Sequence, residues 1–420
     1  MTDTTHAWGR PPSGRFNAVA AKFRPVFAEI RAGAAKRDHQ RELPFDAVAA
    51  LRQAGFSKLR LPVENGGLGL TLPELFGLVI ELGEADPNLA NIFRAHHGFV
   101  EDLLNTGAEH RGWRDAWLER VGKGETIGSG FSETGNNTLG SHSTQIIREG
   151  DIWRLEGKKF YTTGSLYSDW IHIAAIDGDG TVVGALVPTK AAGVEIVDDW
   201  DGFGQALTAS GTARFTQVVL QPDFIKPNAL RFNYAAGYFQ LIHLATLAGI
   251  GRAAADDLAA LVASRTRVYG RGNGQQSAQD PQVLQVVGRV RAAAYAAGAI
   301  ALKAAEALQE AYEANLSGNE ARIALAIRDS DLDVSQAVTP VTSLILDATT
   351  GLFDALGASA TKRSQSLDRH WRNARTISSH NPRIYHDRLI GDFAVNGAVP
   401  DGIGGVGTLT STPATKTEDA

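Results

Sequence analysis

A histidine at the end of a cationic stretch is the residue of this sequence most suited to proton chemistry, and an amide follows it directly. The stretch from Arg369 to Pro382 is dense in arginine, histidine and tryptophan, and its Asn381-Pro382 pair favours leaving a helix. His380 has an ordinary pKa near neutrality, so it can hold or release a proton at physiological pH. The alternative is a histidine that only interacts with the dipole at a helix C-terminus.

Three short segments elsewhere combine glycine with aromatic, hydroxyl or cationic side chains. They are Gly128-Ser129-Gly130-Phe131-Ser132-Glu133, Gly157-Lys158-Lys159-Phe160-Tyr161-Thr162-Thr163-Gly164 and Arg265-Thr266-Arg267-Val268-Tyr269-Gly270. Taken singly, each has a plain structural interpretation: an aromatic ring in a sheet core, a strand threonine, or a solvated helix end. Their combination in one layout favours a shared role.

The composition is that of an ordinary globular chain. Its 420 residues are enough for two or three domains, and 43% of them are hydrophobic. The 41 basic and 46 acidic residues give a net charge of -5, which argues against nucleic acid or an anionic membrane as the main partner. Cysteine is absent, which removes disulfides and cysteine-ligated metals. With a polar N-terminus and no apolar run of bilayer length, we expect a cytoplasmic protein.

Helical patterning gives way to β-type patterning and then returns. The patterns predict a flexible leader (1–15), an N-terminal helical domain (16–123), a middle β domain (124–233), a C-terminal helical bundle (234–396) and a tail (397–420). The short β-rich runs of the middle domain have no helix between them, which predicts an antiparallel sheet or barrel. The class is therefore α+β.

Local signals place individual elements within these domains. Asp86-Pro87 predicts the start of a helix that extends to Leu103. In the C-terminal domain, an apolar stripe after Asp280-Pro281 predicts a long bundle helix, with a loop at 317–320. Thr339-Pro340 predicts a break or kink.

The α-β-α order and the three segments resemble the acyl-CoA dehydrogenase fold over residues 16–395. Gly128–Glu133 is similar to the segment of that family that meets the flavin pyrimidine edge, which implies Phe131 and Ser132 as cofactor contacts. Gly157–Gly164 is similar to the segment that packs a ring on the isoalloxazine and a hydroxyl on flavin N5, which implies Tyr161 and Thr163.

The third segment is similar to the family motif that reaches a flavin phosphate across a subunit interface. The resemblance implies this role for Arg265 and Arg267, and with it a homotetramer. The physical requirements agree, because a flavin needs an aromatic wall, hydrogen-bonding groups at its pyrimidine edge and cations for its phosphate.

The Arg369–Pro382 stretch departs from the dehydrogenases of this fold. Aligning Arg372-Asn373-Ala374-Arg375 with their Arg-Asp-Ala-Lys puts Asn381 where their catalytic Glu stands, and an amide cannot abstract a proton. Some dehydrogenases take the base from another helix, so that reading stays open. His380, with Trp200–Gln205 and Leu207–Gly211, instead resembles the two-component flavin monooxygenases of this fold, in particular the dibenzothiophene and alkane sulfone or sulfinate group. Ala206 departs from the usual Arg.

The resemblance implies a mechanism. Reduced FMN from a separate NAD(P)H:flavin reductase reacts with O2 to give a C4a-hydroperoxide, whose distal oxygen is transferred to an organosulfur substrate. Thr163 accepts a hydrogen bond from N5-H, and His380 holds and later protonates the peroxide. FAD is the less favoured cofactor.

Other motifs were weighed for the pocket and for alternative cofactors. The resemblance implies His96, His97, Phe99 and Trp200 as substrate-pocket residues. The alternative for the histidine pair is one inward aromatic spacer and one surface histidine, and for Phe99 and Trp200 it is core packing. The histidines near the C-terminus lack metal-ligand spacing, so no metal is expected. Gly402–Gly407 matches a dinucleotide fingerprint by letter, but no βαβ unit surrounds it.

Three functions remain at this point. They are the monooxygenase of organosulfur compounds, with nitrogen- or carbon-hydroxylating relatives beside it; an acyl-CoA dehydrogenase-type flavoprotein; and a non-catalytic flavin-binding scaffold.

Overall fold

The computed structural model describes residues 8–133, 143–150, 152–227 and 231–398. The first seven residues of the predicted leader, the predicted tail from residue 399 onward and Gly402–Gly407 lie outside the described residues.

Seven helices of the described chain precede the sheet. They are α1 (Phe16–Ala20), α2 (Arg24–Gln40), α3 (Phe45–Ala54), α4 (Leu72–Ala85), α5 (Pro87–Ile92), α6 (Arg94–Leu104) and α7 (Arg111–Gly122). A capping box starts α4, where the Thr71 and Glu74 side chains each bond the other residue's backbone N–H. Asp86 then ends α4 and caps α5 by accepting from the Asn88 N–H. The single helix predicted from Asp86 is therefore two helices, which meet at Phe93.

The middle domain is a sheet of eight strands. They are β1 (Ile127–Gly130), β2 (Gln145–Glu149), β3 (Ile152–Phe160), β4 (Trp170–Ile176), β5 (Val182–Pro188), β6 (Val194–Val197), β7 (Thr212–Leu220) and β8 (Ile225–Lys226). The order is β6-β7-β3-β2-β4-β5-β8, and β1 pairs with β4.

The sheet is mixed rather than wholly antiparallel. Most neighbours are antiparallel as predicted, but β1 and β2 each pair with β4 in parallel. The two strands share one side of β4, with β1 along Trp170–Ile173 and β2 at Ile176. Sequence spacing cannot reveal this sharing, because it treats consecutive strands as neighbours.

The C-terminal domain is the predicted helical bundle. Its helices are α8 (Ala235–Ser264), α9 (Pro281–Ser317), α10 (Glu320–Gly351), α11 (Asp368–Ser378) and α12 (Arg383–Asn396). The predicted break at Thr339-Pro340 is wrong, since α10 continues through Pro340. Val338 and Val341 are buried in the core on either side of it, and their packing offsets the lost backbone hydrogen bond. No helix of the described residues has the length and apolarity needed to cross a membrane.

The N-terminal helices pack closely on the bundle. A Cβ on Gly249 of α8 would lie 2.5 Å from the Ile80 carbonyl oxygen of α4, so only glycine permits this approach. The α+β class and the α-β-α order are confirmed.

A buried ion pair and a tyrosine hydroxyl join the segment before α4 to α6 and to the residue that precedes α8. Arg60 donates to both carboxylate oxygens of Glu101, at 3.0 and 2.9 Å, and Tyr234 donates its hydroxyl to the same carboxylate at 2.5 Å. Burial opposes the charge of Arg60, but the Glu101 carboxylate more than offsets this and raises the pKa of the guanidinium. Both side chains are removed from solvent, so each depends on the other.

Replacing Glu101 with Gln should destabilise the fold by about 3–5 kcal/mol, because it leaves the Arg60 charge buried without a counter-charge. Urea unfolding followed by circular dichroism measures the change. Glu306→Gln breaks the exposed Lys303–Glu306 pair and is the control, for which little or no change is expected. Equal effects in the two variants would show that the buried pair does not secure α6 to α8.

Candidate active site

A chain of three hydroxyl groups ends at Thr163, in the turn after β3. The Thr163 hydroxyl lies 2.7 Å from that of Ser210, which lies 2.7 Å from that of Thr208. Thr208 Oγ1 in turn donates to the Gln205 carbonyl oxygen at 2.8 Å. The predicted N5 partner is therefore part of a connected network.

The carbonyl at the far end sets the direction of every bond in this chain. A carbonyl oxygen only accepts, so the Thr208 proton is committed to Gln205. Ser210 must then donate to Thr208, and Thr163 must donate to Ser210. The Thr163 oxygen consequently offers only lone pairs to a ligand.

An exposed aromatic ring lies beside this network. Tyr161 is 47% exposed, and its ring centroid is 5.8 Å from that of Trp200 in an edge-to-face arrangement. Trp200 Nε1 donates to the Gly204 carbonyl oxygen at 3.3 Å. Tyr161 and Trp200, predicted as flavin wall and pocket wall, are thus neighbours.

Phe131 and Ser132 continue from the end of β1. The Ser132 carbonyl accepts from the Phe160 N–H at 3.0 Å, which places this segment beside the end of β3. The Phe131 ring packs edge-to-face on His172 at 4.8 Å, and the Arg231 guanidinium lies 4.1 Å from the Phe131 ring centroid.

His380 and Asn381 lie in the turn between α11 and α12. The Asn381 amide nitrogen donates to Gln240 Oε1 of α8 at 2.7 Å, so its oxygen faces His380, 3.2 Å from Nδ1. The His380 ring centroid is 4.4 Å from that of His243, a buried ring with both nitrogens unpartnered among the described residues. Two histidines therefore face each other at the junction of α8 and α11.

The His380 ring is neutral at physiological pH, contrary to the expected near-neutral pKa. The surrounding protein lowers the pKa through desolvation, and the charge of Arg94 adds to the effect. The residue remains partly exposed to solvent. A neutral ring can bond the Asn381 oxygen only through a protonated Nδ1, which leaves Nε2 as an acceptor.

Arg265 and Arg267 lie away from this group of residues. Arg265 follows the last residue of α8, 22 positions after His243, which is about 33 Å along a helix. Arg265 Nη1 donates to the Ala355 carbonyl, and the Arg267 side chain is exposed. One chain therefore does not bring Arg265 and Arg267 to its own His380.

Three predicted pocket residues are instead part of the protein interior. His96 bonds the Ser57 carbonyl through Nε2 at 2.7 Å and accepts from the Ile127 N–H at 3.3 Å. His97 packs against Phe56 and Phe93. Phe99 belongs to an aromatic cluster with Trp113 and Trp117. These contacts are those of core residues, and the pocket assignments of His96, His97 and Phe99 stay predictions.

Several residues of this region escaped prediction. Gln240 and His243 interrupt the most apolar run of the sequence, and that interruption was the available signal. Thr208 and Ser210 lie in the Leu207–Gly211 segment that carried the resemblance. Arg94 had no such signal, because a single helix position does not reveal which face of α6 it lies on.

Replacing His97 with Phe should stabilise the protein by about 1–3 kcal/mol at pH 7, because it removes two buried ring nitrogens that have no partner among the described residues. Burial holds the pKa of His97 well below its usual value. Below pH of about 6.5 the unfolded chain therefore binds a proton that the folded chain does not, and wild-type stability falls.

The advantage of His97→Phe should consequently grow as the pH is lowered from 7 to 5, and denaturant unfolding across that range measures it. His39→Phe, at an exposed position of α2, is the control. A loss of stability in His97→Phe would show that the ring has a polar partner and would support its pocket assignment.

Comparison with known proteins adds the family. The model of the acyl-CoA dehydrogenase N-terminal domain matches residues 17–125, and that of the C-terminal domain matches residues 241–382. A probable FMNH2-dependent monooxygenase, SfnC of Pseudomonas putida, is 27% identical over 91% of this chain and 95% of its own length. The dibenzothiophene monooxygenase of Rhodococcus qingshengii is 27% identical over 93% of this chain and 96% of its own.

A solved structure agrees over the same length. The crystal structure of FMN-bound TdsC from Paenibacillus sp. A11-2 matches with a TM-score of 0.81 and 26% identity, over 91% of this chain and 98% of that one. The domain order, both domain models and these full-length similarities lead to one conclusion. The chain belongs to the acyl-CoA dehydrogenase fold family, and over nearly its whole length it is similar to monooxygenases.

Proposed function

We propose that this chain is a flavin-dependent monooxygenase that uses reduced FMN and O2 to oxygenate an organosulfur compound. A separate NAD(P)H:flavin reductase supplies the reduced FMN. The named relatives support this activity, since one is an FMNH2-dependent monooxygenase and another acts on dibenzothiophene. The FMN-bound relative supports FMN as the cofactor in preference to FAD.

The observation that decides against a dehydrogenase is the environment of Asn381. Its amide is fixed by the bond to Gln240, and no carboxylate of the described residues is close enough to shift the pKa of His380 or His243. The dehydrogenases that this fold resembles abstract the proton next to a thioester with a carboxylate. The group formed by His380, His243 and Asn381 does not supply it.

Reduced FMN, when bound, supplies the two electrons and two hydrogens that convert one oxygen atom of O2 to water while the other is added to sulfur. The residues present suit this group. Tyr161 and Trp200 offer an aromatic wall, and Thr163 offers an acceptor. Phe131 and Ser132 lie at the end of the neighbouring strand for the pyrimidine edge.

The direction of the hydroxyl chain favours the reduced cofactor. A Thr163 oxygen that can only accept pairs with N5-H, which is present in reduced FMN and absent from oxidised FMN. Thr163 is proposed as the residue that retains this proton. Ser210 and Thr208 position its hydroxyl.

His380 is proposed as the proton acceptor beside the reacting oxygen. Its Nε2 atom bears the free lone pair, so it can receive a hydrogen bond or a proton, and return that proton as water forms. Asn381 is a positioning residue that fixes the histidine tautomer. This reverses the expected order, in which the histidine is first a donor.

Arg265 and Arg267 are proposed to serve the FMN phosphate of a neighbouring subunit, in a homotetramer. The separation of about 33 Å along α8 supports a contribution to another chain's site. Their guanidinium groups suit a phosphate.

The activity is tested with the purified chain, FMN, NADH, a flavin reductase and 18O2, using an alkyl sulfide, a sulfone and a sulfinate as substrates. We expect one 18O atom in the product, detected by mass spectrometry. The dehydrogenase alternative predicts flavin bleaching by an acyl-CoA without O2. Flavin bleaching of this kind, or the absence of 18O from the products of all three substrates, would contradict the proposal.

Replacing His380 with Ala should preserve FMN binding but lower product yield about 10- to 100-fold, because the proton acceptor is lost. Hydrogen peroxide released per O2 consumed should rise in parallel. His39→Ala is the matched control, and unchanged coupling in His380→Ala removes the assigned role.

Replacing Ser210 with Ala should reduce the preference for reduced over oxidised FMN about tenfold, since one hydrogen bond changes sign. Thr163 then has no acceptor and can turn its proton toward the N5 of oxidised FMN. Anaerobic titrations of both redox forms measure the ratio of dissociation constants. Thr208→Ser keeps the chain intact and should leave the ratio unchanged; an unaltered ratio in Ser210→Ala would show that the chain does not orient Thr163.

A further inference from the structure

Two arginines stack on a single aromatic ring between α6 and α8. The guanidinium carbons of Arg94 and Arg231 lie 4.8 and 4.5 Å from the ring centroid of Phe239. Arg231 also lies 4.1 Å from the Phe131 centroid, so it is held between two rings. Phe239 is itself fixed, because a Cβ on Gly98 of α6 would lie 2.2 Å from its ring.

Stacking on an aromatic ring leaves the N–H donors of a guanidinium available. A guanidinium packs on a ring through its flat face, and its N–H donors point outward in the plane. The hydrogen bond recorded for Arg94 uses Nε alone, to the Phe239 carbonyl at 3.4 Å. The terminal N–H groups of Arg94 have no partner among the described residues, so they are available to bind an oxyanion.

No carboxylate neutralises this pair within the described parts of the chain. Neither Arg94 nor Arg231 has an acidic oxygen of those residues within 4.0 Å. Asp102 attracts Arg231 over a longer distance, but its carboxylate already faces Lys226 Nζ at 3.6 Å. Burial lowers the pKa of Arg94 to about 9, with the Arg231 charge adding to the effect, so the group stays protonated at neutral pH.

The pair lies near the proposed position of oxygen transfer, because Phe239 lies one helical turn before His243 on α8 and the His243 ring centroid is 4.4 Å from that of His380. Burial lowers the pKa of both His243 and His380, and the charge of Arg94 adds to this effect. The local charge is therefore positive and comes from the arginines. Charges that are buried without counter-ions are costly, and an anionic ligand removes that cost.

We propose that Arg94 and Arg231 form an anion subsite that selects a negatively charged organosulfur substrate, an alkanesulfinate, over a neutral aromatic thioether. The sulfinate oxygens bind the in-plane N–H groups, which presents the sulfur lone pair toward His380. This inference rests on the proposed function and names its substrate class. For a neutral substrate, we would expect a pocket lined by methionine or aromatic side chains and without cations.

The first experiment measures binding without turnover. Isothermal titration of the flavin-free protein with methanesulfonate, a stable sulfur oxyanion, should give saturable binding. Arg94→Gln and Arg231→Gln should each weaken it about 10- to 100-fold, as expected for a lost charge-assisted bond. Arg289→Gln on α9 is the control and should bind as the wild type does. Binding that is unaffected by both substitutions would overturn the subsite.

The second experiment uses the complete system with reductase. Arg94→Gln should raise KM for methanesulfinate about 10- to 100-fold and leave KM for dibenzothiophene unchanged or lower. The affinity for reduced FMN should not change, and a loss of that affinity instead would assign the arginines to the cofactor and refute a substrate role. Arg94→Lys keeps the charge but loses the planar fork, so its KM should be intermediate.

The two experiments separate the two failures. Oxyanion binding that depends on Arg94, without oxygenation of any sulfur compound, would reject the proposed function and keep the subsite. Oxygenation of dibenzothiophene alone, with no effect of either arginine, would keep the monooxygenase and reject the subsite.

Discussion

The Arg60–Glu101–Tyr234 contact sets the geometry on which the rest of the site depends. It fixes α6 to the beginning of α8 through groups that are removed from solvent and cannot be satisfied by water. The same two helices bear Arg94 on one side and Gln240 and His243 on the other. A shift of one helix turn would move these side chains by about 5.4 Å. A polar anchor of this kind is directional, so it defines the register of the two helices in a way that apolar packing does not.

Two kinds of basic residue lie at the proposed site. The arginines carry the positive charge, and the histidines are neutral. The arginines stay protonated because their intrinsic pKa is high, whereas burial lowers the pKa of His243 and His380 and the charge of Arg94 adds to that effect. A neutral histidine retains a lone pair, which proton transfer requires, while the arginines retain the charge that anion binding requires. Neither function would persist if the roles were exchanged, since a protonated His380 could not accept.

Much of the fold could be predicted because its signals are local. Helix caps such as Asp280-Pro281 and the change from helical to alternating patterning depend on a few adjacent residues. The mixed sheet depends on which strands share β4, and the continuity of α10 depends on Val338 and Val341 packing across the bundle. In the site, His380 and Thr163 were found by resemblance, whereas His96 and Arg94 differ only in the face of α6 on which they lie. Packing against α8, about 140 residues later in the chain, determines which face of α6 points to the site. No local sequence pattern contains that information.

The hydroxyl chain from Gln205 to Thr163 also has a consequence for the end of the catalytic cycle. In the proposed complex, once N5 has lost its hydrogen, the Thr163 acceptor would face a second acceptor, and an attraction would become a repulsion between lone pairs. Binding of the oxidised cofactor is thereby weakened once oxygen transfer is complete. A carrier that diffuses between two proteins must be released as readily as it is captured, and a fixed proton orientation accomplishes both without any movement of the backbone.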